Sequence, residues 1–261
     1  MQLKKSLGQN FLNNKHIIKK IIDVAQVISG NQYLEIGPGD GALTALLLAE
    51  GAKLTAVETD NRMIELLSEK FSSYIDSNNF TLTQADIAEW DEVAFAELFG
   101  TYSIVANIPY YITGLIIRKF LTSTHQPQDM TLIMQREVAD RIMAREGKLS
   151  LLSIGVQVYG KPEFHGMIKR GNFTPAPKVD SAILKISNIS RDFFIDCDED
   201  LFWKHVHAGF AHKRKQLISN LRDMYERADL ESFFTKNKIP HNIRAEDMTL
   251  DTWKAITQWA Q

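Results

Sequence analysis

The stretch Gln32-Tyr-Leu-Glu-Ile-Gly-Pro-Gly-Asp-Gly41 joins a mostly apolar segment to three glycines at alternate positions. The apolar part predicts a buried strand, and the glycines let the following backbone turn tightly and approach a ligand without Cβ clashes. In the dinucleotide fingerprint the third glycine stands one residue later, where a helix N-terminus meets a pyrophosphate. Pro38 also removes an amide that a phosphate cradle would use. The loop therefore favours a nucleoside ligand without phosphates, such as S-adenosylmethionine.

Strand-like and helix-like segments alternate around this loop, a pattern typical of βαβ units. The predicted strands are 32–36, 53–58, 80–85, 102–107 and 130–135. The predicted helices are 41–50, 60–74 (with Asp60 as N-cap), 91–99 and 113–121, and an amphipathic helix at 14–28 precedes the sheet. We therefore expect an α/β fold with a parallel, doubly wound, Rossmann-like sheet.

The second half of the chain has a different pattern. Helices are predicted at 138–145 and 150–158, and strands at 163–169 and 182–187. From residue 192 the composition becomes acidic and then basic, with helical spacing and no strand signal. We therefore expect a first domain of residues 1–190 and a smaller, all-helical domain of residues 191–261.

The composition is that of a globular protein: 44% of the 261 residues are hydrophobic. No apolar run reaches the ~18 residues of a membrane span, and the N-terminus lacks the apolar segment of a secretory signal. Cys197 is the only cysteine, which excludes an intramolecular disulfide and an all-cysteine zinc site. We expect a cytoplasmic protein that does not bind membranes.

Charge is segregated along the chain, although the net charge is only −2. Residues 1–20, which include Lys4 and Lys5, hold five lysines and no acid, and residues 201–222 are basic and equally free of acids. Residues 76–100 hold six acids and no Lys or Arg. Each basic cluster alone is consistent with a solvated helix face. Together they favour one strongly positive surface and a phosphate-rich partner.

Two acids follow predicted strands on the side where ligands bind in open α/β sheets. Glu58 ends the second strand, 21 residues after Gly37, the position from which a carboxylate reaches ribose hydroxyls in nucleotide-binding folds. Asp86 follows the third strand, where it can accept a hydrogen bond from an adenine amine. Either acid alone is equally consistent with a helix N-cap or a surface residue.

The tetrapeptide Asn107-Ile-Pro-Tyr110 follows the apolar fourth strand. Pro109 holds the residue before it in an extended conformation and contributes no N–H. The Asn107 amide and the Ile108 carbonyl are thus acceptors at a strand end, beside the aromatic ring of Tyr110. This combination suits the exocyclic amine of a flat nucleobase. A tight turn with a buried tyrosine explains the tetrapeptide alone equally well.

Five segments, in the same order and spread over almost the whole chain, resemble the signature of the ribosomal RNA adenine N6-dimethyltransferases. Within that family the resemblance is to the small-subunit enzymes linked to kasugamycin sensitivity. The segments are Gly8-Gln-Asn-Phe-Leu12, Glu35-Ile-Gly-Pro-Gly39, Asn107-Ile-Pro-Tyr110, Asn172-Phe-Thr-Pro-Ala-Pro-Lys-Val-Asp-Ser181 and Lys213-Arg-Lys-Gln-Leu-Ile-Ser-Asn-Leu221.

The resemblance implies an S-adenosylmethionine-dependent enzyme that dimethylates the N6 amines of two adjacent adenosines near the 3′ end of small-subunit ribosomal RNA. The first domain would be the methyltransferase, with its segment 1–30 contacting RNA and cofactor, and residues 191–261 would bind RNA. The substrate would be a pre-30S particle and the enzyme a monomer. No metal is expected, because the positively charged sulfur of the donor supplies the leaving group.

The resemblance also implies roles for individual residues. Asn107 and the Ile108 carbonyl would accept hydrogen bonds from the target amine, with Pro109 keeping this backbone rigid. Tyr110 would stack on one face of the base and Phe173 would cover the other. The cofactor site would comprise Asn10, Leu12, Gly37, Glu58, Asp86 and Asn107. The residues that contact RNA phosphates would be Lys213, Arg214, Lys215 and Arg222.

Four alternatives remain. A large-subunit methylase of the macrolide-resistance type would share the tetrapeptide, but Lys213–Leu221 favours the small-subunit enzymes. A DNA adenine methylase would not account for the segments 8–12 and 172–181. A ribosome assembly factor without catalysis would not require Asn107 and Tyr110. An NAD-dependent oxidoreductase would require the third glycine one residue later.

Overall fold

The computed structural model describes residues 10–261, except for the side chain of Phe99. The predicted contributions of Lys4, Lys5, Gly8 and Gln9 lie outside the described residues. The described chain divides into two compact units, one of residues 10–139 and 160–189 and the other of residues 140–159 and 190–261.

The second unit contains residues 140–159, which were expected in the first domain. Their polar contacts explain this assignment. The Leu149 amide donates to the carbonyl of Glu246 over 2.7 Å, and Lys148 forms an ion pair with the Glu246 carboxylate over 2.5 Å. The Tyr159 hydroxyl donates to the carboxylate of Glu199. The chain thus leaves the first unit after residue 139, returns for residues 160–189, and leaves it again.

The first unit is built on a seven-stranded sheet with the order β4-β3-β2-β5-β6-β9-β7, and β1 and β8 form a separate pair. The strands are β1 (Phe11–Leu12), β2 (Gln32–Ile36), β3 (Lys53–Glu58), β4 (Phe80–Gln84), β5 (Tyr102–Asn107), β6 (Met130–Gln135), β7 (Lys161–Ile168), β8 (Phe173–Thr174) and β9 (Ser181–Ser187). The prediction of a doubly wound sheet is confirmed, and four of the five predicted strands of its first half have the predicted bounds.

Only part of this sheet is parallel. Strands β2 to β6 run parallel, as predicted, whereas β9 runs antiparallel to β6 and β7 antiparallel to β9. A parallel pair needs a crossover that is usually a helix. The link from β7 to β9 contains only a short 3₁₀ turn (Arg170–Asn172) and the two-residue strand β8, so β9 returns beside β7 in the opposite direction.

The helices of the chain follow the predicted pattern with small differences at their ends. They are α1 (Lys15–Ala25), α2 (Ala42–Ala49), α3 (Asn61–Lys70), α4 (Ser72–Asp76), α5 (Glu92–Phe99), α6 (Thr113–Thr122), α7 (Arg136–Ile142), α8 (Leu151–Gln157), α9 (Glu199–Gly209), α10 (Leu217–Leu221), α11 (Arg227–Lys236) and α12 (Leu250–Trp259). The single helix expected at 60–74 is interrupted at Phe71, which leaves helical geometry and packs its buried ring edge-on against Phe80.

The helix α1 illustrates how sequence pattern becomes packing. The Asn14 side chain caps its start by accepting hydrogen bonds from the amides of His16 and Ile17. Its buried residues recur every three to four positions, and they pack in the hydrophobic core of the first unit. This face consists of Ile18, Ile21, Ile22 and Ala25.

The second unit contains helices and no strand among its described residues. Its core includes a histidine among the buried polar side chains. His205 is fully buried, and its two ring nitrogens lie 3.1 Å from the Thr257 hydroxyl and 2.6 Å from the Tyr225 hydroxyl. Burial lowers the pKa of His205 to about 4, so the ring is neutral at pH 7. This histidine is a packing residue of the helical unit.

Among the described helices, none is long and apolar enough to cross a membrane.

Candidate active site

The first unit contains a cavity of about 300 Å³ at the carboxyl ends of β2, β3 and β5. This size is at the lower end for small-molecule sites. Ten different residues were predicted to bind cofactor or base, and nine of them line the cavity: Asn10, Leu12, Gly37, Glu58, Asp86, Asn107, Ile108, Pro109 and Tyr110. Residues separated by up to a hundred positions in sequence thus line one cavity, to which the parallel strand ends contribute most of the residues and the N-terminal segment contributes Asn10 and Leu12.

The glycine loop contributes Gly37 and Gly39 to the lining of this cavity. Gly37, Gly39 and Gly41 all adopt left-handed backbone conformations, with φ of 65°, 58° and 76°. At Gly39 a Cβ atom would also lie 2.7 Å from the ring of Phe11. The residue at this position therefore has to be glycine, both for its conformation and for its contact with the N-terminal segment.

Glu58 connects this loop to the end of β3. Its side chain is buried, and one carboxylate oxygen accepts hydrogen bonds from the amides of Thr59 and Asp60 over 2.8 and 2.9 Å. The other oxygen lies 3.3 Å from the amide of Gly39, which donates to it. Glu58 therefore fixes the loop and holds a carboxylate at the cavity wall.

The cavity is also lined by an acid, Glu35, for which the sequence predicted no role. Glu35 lies in the middle of the sheet, is 1% exposed, and accepts a hydrogen bond from the Thr44 hydroxyl over 2.7 Å. Desolvation of the Glu35 carboxyl is the main reason that its pKa is raised to about 8. The hydrogen bond from Thr44 lowers this pKa, and the charges of Glu58 and Asp40 raise it. In the sequence, Glu35 could have been noticed as an acid within a mostly apolar strand.

Asp86 lies two residues beyond the end of β4 and is exposed at the cavity. One of its carboxylate oxygens accepts a hydrogen bond from the Ala88 amide over 2.9 Å. The backbone carbonyl of Asp86 accepts from the amides of Glu89 and Trp90. The loop is therefore stabilised by its own backbone, and the carboxylate is held on the cavity side.

The tetrapeptide continues β5 into the cavity. The amide of the buried residue Ile108 donates to the Ile133 carbonyl on β6 over 3.1 Å. The Asn107 side-chain nitrogen donates to the backbone carbonyl of Asn10 over 3.1 Å. Because its NH₂ group faces this carbonyl, the amide oxygen of Asn107 is the acceptor that remains for a ligand.

Tyr110 begins a short 3₁₀ turn (Tyr110–Ile112) at the cavity and is partly buried. Its hydroxyl lies 2.7 Å from the hydroxyl of Ser181, with which it shares a hydrogen bond. Burial raises the pKa of the Tyr110 phenol, the Ser181 bond lowers it, and Asp180 raises it. The phenol is therefore neutral at pH 7.

The structure does not bring Phe173 to the cavity with Tyr110. Phe173 belongs to β8, pairs with Leu12 of β1, and is 4% exposed in the hydrophobic core. Strand pairing places it among the core residues of the first unit, and its expected position over the second face of a base stays a prediction. The pairing is reinforced by a hydrogen bond of 2.8 Å between the side chains of Asn14 and Asn172.

The four basic residues predicted to contact RNA belong to the second unit and are exposed. Lys213, Arg214 and Lys215 precede α10, in a loop closed by a hydrogen bond of 3.0 Å from the Lys215 amide to the His212 carbonyl. Arg222 follows α10, and its Nε lies 3.7 Å from the carboxylate of Asp223. Three adjacent cations in a loop can contact phosphates, and this role remains a prediction.

In the part of the chain that the structure describes, no group of three or more His, Cys, Asp or Glu side chains is arranged to hold a metal ion.

Comparison with known proteins identifies close relatives over the full length. The family model described as ribosomal RNA adenine dimethylase matches residues 1–261. A protein of Fusobacterium nucleatum named ribosomal RNA small subunit methyltransferase A is 40% identical over 252 residues, which cover 95% of this chain and 94% of that protein. A protein of the same name from Lactococcus lactis is 36% identical, over 97% of this chain and 88% of that protein.

Solved structures with the same fold agree. A dimethyladenosine transferase from Plasmodium falciparum superimposes with a TM-score of 0.76 at 26% identity, covering 94% of this chain and 95% of that one. A structure described as the 23S rRNA methyltransferase ErmE gives a TM-score of 0.77 over 97% of this chain and all of that one, at 24% identity. The latter likeness is one of fold alone.

Proposed function

Since the chain belongs to the ribosomal RNA adenine dimethylase family and is an adenine dimethyltransferase of ribosomal RNA, we propose that its substrate is small-subunit RNA. It dimethylates the N6 amines of two adjacent adenosines near the 3′ end of that RNA. The observation that supports this most is the position of the tetrapeptide: Asn107, Ile108 and Tyr110 line the same cavity as the glycine loop and Glu58.

The residues of the cavity fit S-adenosylmethionine as methyl donor. The cavity offers the carboxylates of Glu58 and Asp86, which suit ribose hydroxyls and an adenine amine, beside apolar side chains such as Ile36 and Ile87. Asn10 and Leu12 would close the site from the N-terminal side. The bound donor would supply a methyl group on a positively charged sulfur.

The tetrapeptide would prepare the nucleophile. The nitrogen of an adenine amine is a poor nucleophile because its lone pair is delocalised into the ring. Hydrogen bonds from its two N–H groups to the Asn107 oxygen and the Ile108 carbonyl would favour a pyramidal nitrogen whose lone pair points at the methyl group. Holding these groups in place would reduce the entropic cost of the reaction and stabilise the charge that develops in the transition state. Such effects account for most of the rate enhancement in many enzymes.

Tyr110 would hold the base outside its RNA stack. Unstacking costs a few kcal/mol, and stacking on an aromatic side chain offsets about 1–3 kcal/mol per base. The half-buried, neutral ring of Tyr110 at the cavity is suited to this role. Phe173, which is buried beside β1, would cover the other face of the base.

The choice of small-subunit RNA is supported by the names of the relatives, which are 34–40% identical over most of this chain. The fold itself does not distinguish the two ribosomal subunits, since a structure described as a 23S rRNA methyltransferase has the same fold. The enzyme would act in the cytoplasm, as a monomer, on a pre-30S particle, with the exposed cations Lys213, Arg214, Lys215 and Arg222 contacting RNA phosphates.

Methyl transfer to three candidate substrates tests this proposal. The protein and S-adenosylmethionine carrying a labelled methyl group would be incubated with undermethylated small subunits, with large subunits and with DNA. The modified nucleotides would be located by stops in reverse transcription. We expect label only in small-subunit RNA, at two adjacent adenosines. Label confined to large-subunit RNA or to DNA would contradict the proposal.

A further inference from the structure

The hydrogen bond between Tyr110 and Ser181 links the tetrapeptide to a strand 71 residues later in the chain. Ser181 is fully buried, and it does not line the cavity. Its hydroxyl is therefore placed to contact the far end of the tyrosine side chain, from behind the cavity wall. Ser181 is the last residue of the segment 172–181, one of the segments that resemble the family signature.

The backbone of Ser181 is held on both sides. Ser181 is the first residue of β9, where it pairs with Gln135 on β6 and with Ile168 on β7. Beside it, the amide of Arg136 donates to the carbonyl of Asp180 over 3.0 Å. A residue between two paired strands has little freedom to move, so its hydroxyl is a fixed reference point.

Tyr110, in contrast, lies outside the sheet, in the 3₁₀ turn that follows Pro109. A tyrosine in such a turn can swing about its Cα–Cβ bond between rotamers. Its phenol oxygen lies on the long axis of the ring, so one bond at that atom fixes the direction of the whole side chain. The 2.7 Å contact with Ser181 thus selects one rotamer of Tyr110.

We propose that Ser181 is a positioning residue for methyl transfer: its hydroxyl directs the Tyr110 ring to the place where the target adenine stacks. The inference depends on one part of the proposed function, which is the contact of Tyr110 with the target base. It gives the end of the 172–181 segment a function in catalysis, without contact with cofactor or RNA.

A double-mutant cycle tests this. Ser181→Ala and Tyr110→Phe each remove one partner of the same bond, and both variants keep an aromatic ring at position 110. Because the net free energy of a hydrogen bond between neutral groups is modest, we expect each variant to lower kcat by about 3- to 10-fold. The double variant should be no slower than either single variant, because the bond can be lost only once. KM for the RNA and the affinity for S-adenosylmethionine, measured by calorimetry, should stay within about twofold of wild type.

Ser103→Ala is the matched control. Ser103 is a buried serine of the same unit whose hydroxyl bonds to the Asp129 carboxylate over 3.1 Å, at the opposite end of the sheet. A comparable loss of thermal stability in both serine variants, with a loss of kcat in Ser181→Ala alone, supports positioning. Wild-type kcat in Ser181→Ala, or additive losses in the double variant, would overturn it.

The cycle is measured on whichever RNA the wild-type enzyme methylates. If that RNA proves to be from the large subunit, the substrate assignment is wrong while the Ser181 result still stands. If small-subunit RNA is methylated and the losses are additive, the substrate assignment holds and the Ser181 inference fails.

Discussion

The side-chain nitrogen of Asn107 donates a hydrogen bond over 3.1 Å to the backbone carbonyl of Asn10, 97 residues earlier in the chain. An amide can be flipped to present either its oxygen or its nitrogen. This bond selects the orientation in which the oxygen faces the cavity. The N-terminal segment thus determines which atom of the Asn107 amide would meet the target amine in the proposed reaction.

Replacing Asn107 should separate methyl transfer from cofactor binding. We expect Asn107→Ala to lower kcat by about 100-fold or more, the usual cost of removing one preorganised polar group. The affinity for S-adenosylmethionine should fall much less, since Glu58 and Asp86 remain. Labelled methyl transfer and calorimetry measure the two quantities. Asn107→Asp keeps an acceptor but loses the donor to Asn10, and we expect intermediate activity. Full activity of Asn107→Ala would refute the acceptor role.

Two substitutions of Tyr110 distinguish stacking from hydrogen bonding. Tyr110→Phe keeps the ring and loses only the bond to Ser181, whereas Tyr110→Ala also loses stacking, which contributes about 1–3 kcal/mol per base. We expect the alanine variant to be slower than the phenylalanine variant by roughly 10- to 100-fold in kcat/KM. Equal rates of methyl incorporation by the two variants would remove Tyr110 from the stacking role.

The glycine loop offers a test of the contact with the N-terminal segment. In Gly39→Ala the new methyl group would lie 2.7 Å from Phe11 and would displace it. We expect the affinity for S-adenosylmethionine to fall roughly tenfold, the equivalent of about 1.4 kcal/mol. The control is Gly30→Ala, since Gly30 also has a positive φ but has no atom within 4 Å of the added Cβ. Thermal melting with and without cofactor compares them, and equal affinities would argue against the contact.

Glu35 should make stability depend on pH. Burial raises its pKa in the folded protein from 4.5 to about 8. The folded state therefore holds a proton that the unfolded chain releases, and stability is lost as the pH rises from about 5 to 8. Glu35→Gln retains the partner of Thr44 without this titration. The free energy of unfolding of the variant, relative to wild type, should rise by a few kcal/mol over this range.

Urea denaturation at several pH values measures this difference. Glu69→Gln, at an exposed position of α3, is the control and should track wild type. A constant difference between Glu35→Gln and wild type from pH 5 to pH 8 would mean that Glu35 is ionised in the folded protein throughout.

The basic loop of the second unit can be tested by salt dependence. Replacing Lys213, Arg214 and Lys215 together by alanine should weaken binding to small subunits. It should also flatten the plot of log affinity against log salt, by roughly 0.7–0.9 per lost phosphate contact. Lys236→Ala with Lys238→Ala removes exposed cations from another part of the same unit. If the two sets change the slope equally, the loop has no specific part in RNA binding.

Much of the fold could be predicted because local pattern and tertiary structure agree. The strands β2 to β6 are short strand-like runs separated by helical segments, so most of their bounds follow from periodicity and their parallel direction from the helical crossovers. The antiparallel return of β7 and β9 could not be predicted in this way, because it depends on a link without a helix. The assignment of residues 140–159 depends on contacts with Glu199 and Glu246, which no local pattern reveals.

In the candidate site, too, residues at strand ends could be predicted from local pattern, whereas residues that depend on distant contacts could not. Glu58, Asp86 and Asn107 were predicted because each ends or follows a strand, and the strand ends of a parallel sheet meet at one edge. Ser181 was missed because its role depends on a partner 71 residues away. The role of Phe173 comes from its motif alone, because its pairing with Leu12 of β1 places it in the core and away from the lining of the cavity.

The pairing of β1 with β8 also has a consequence for biosynthesis. Asn13 and Thr174, which are bonded through their side chains, are 161 residues apart. A nascent chain that has reached only β6 contains the strands that carry Glu58 and Asn107. It lacks the partner of the N-terminal segment and the serine behind Tyr110. The N-terminal segment and Tyr110 can therefore make these contacts only late in translation, after residues 173–181 have been synthesised.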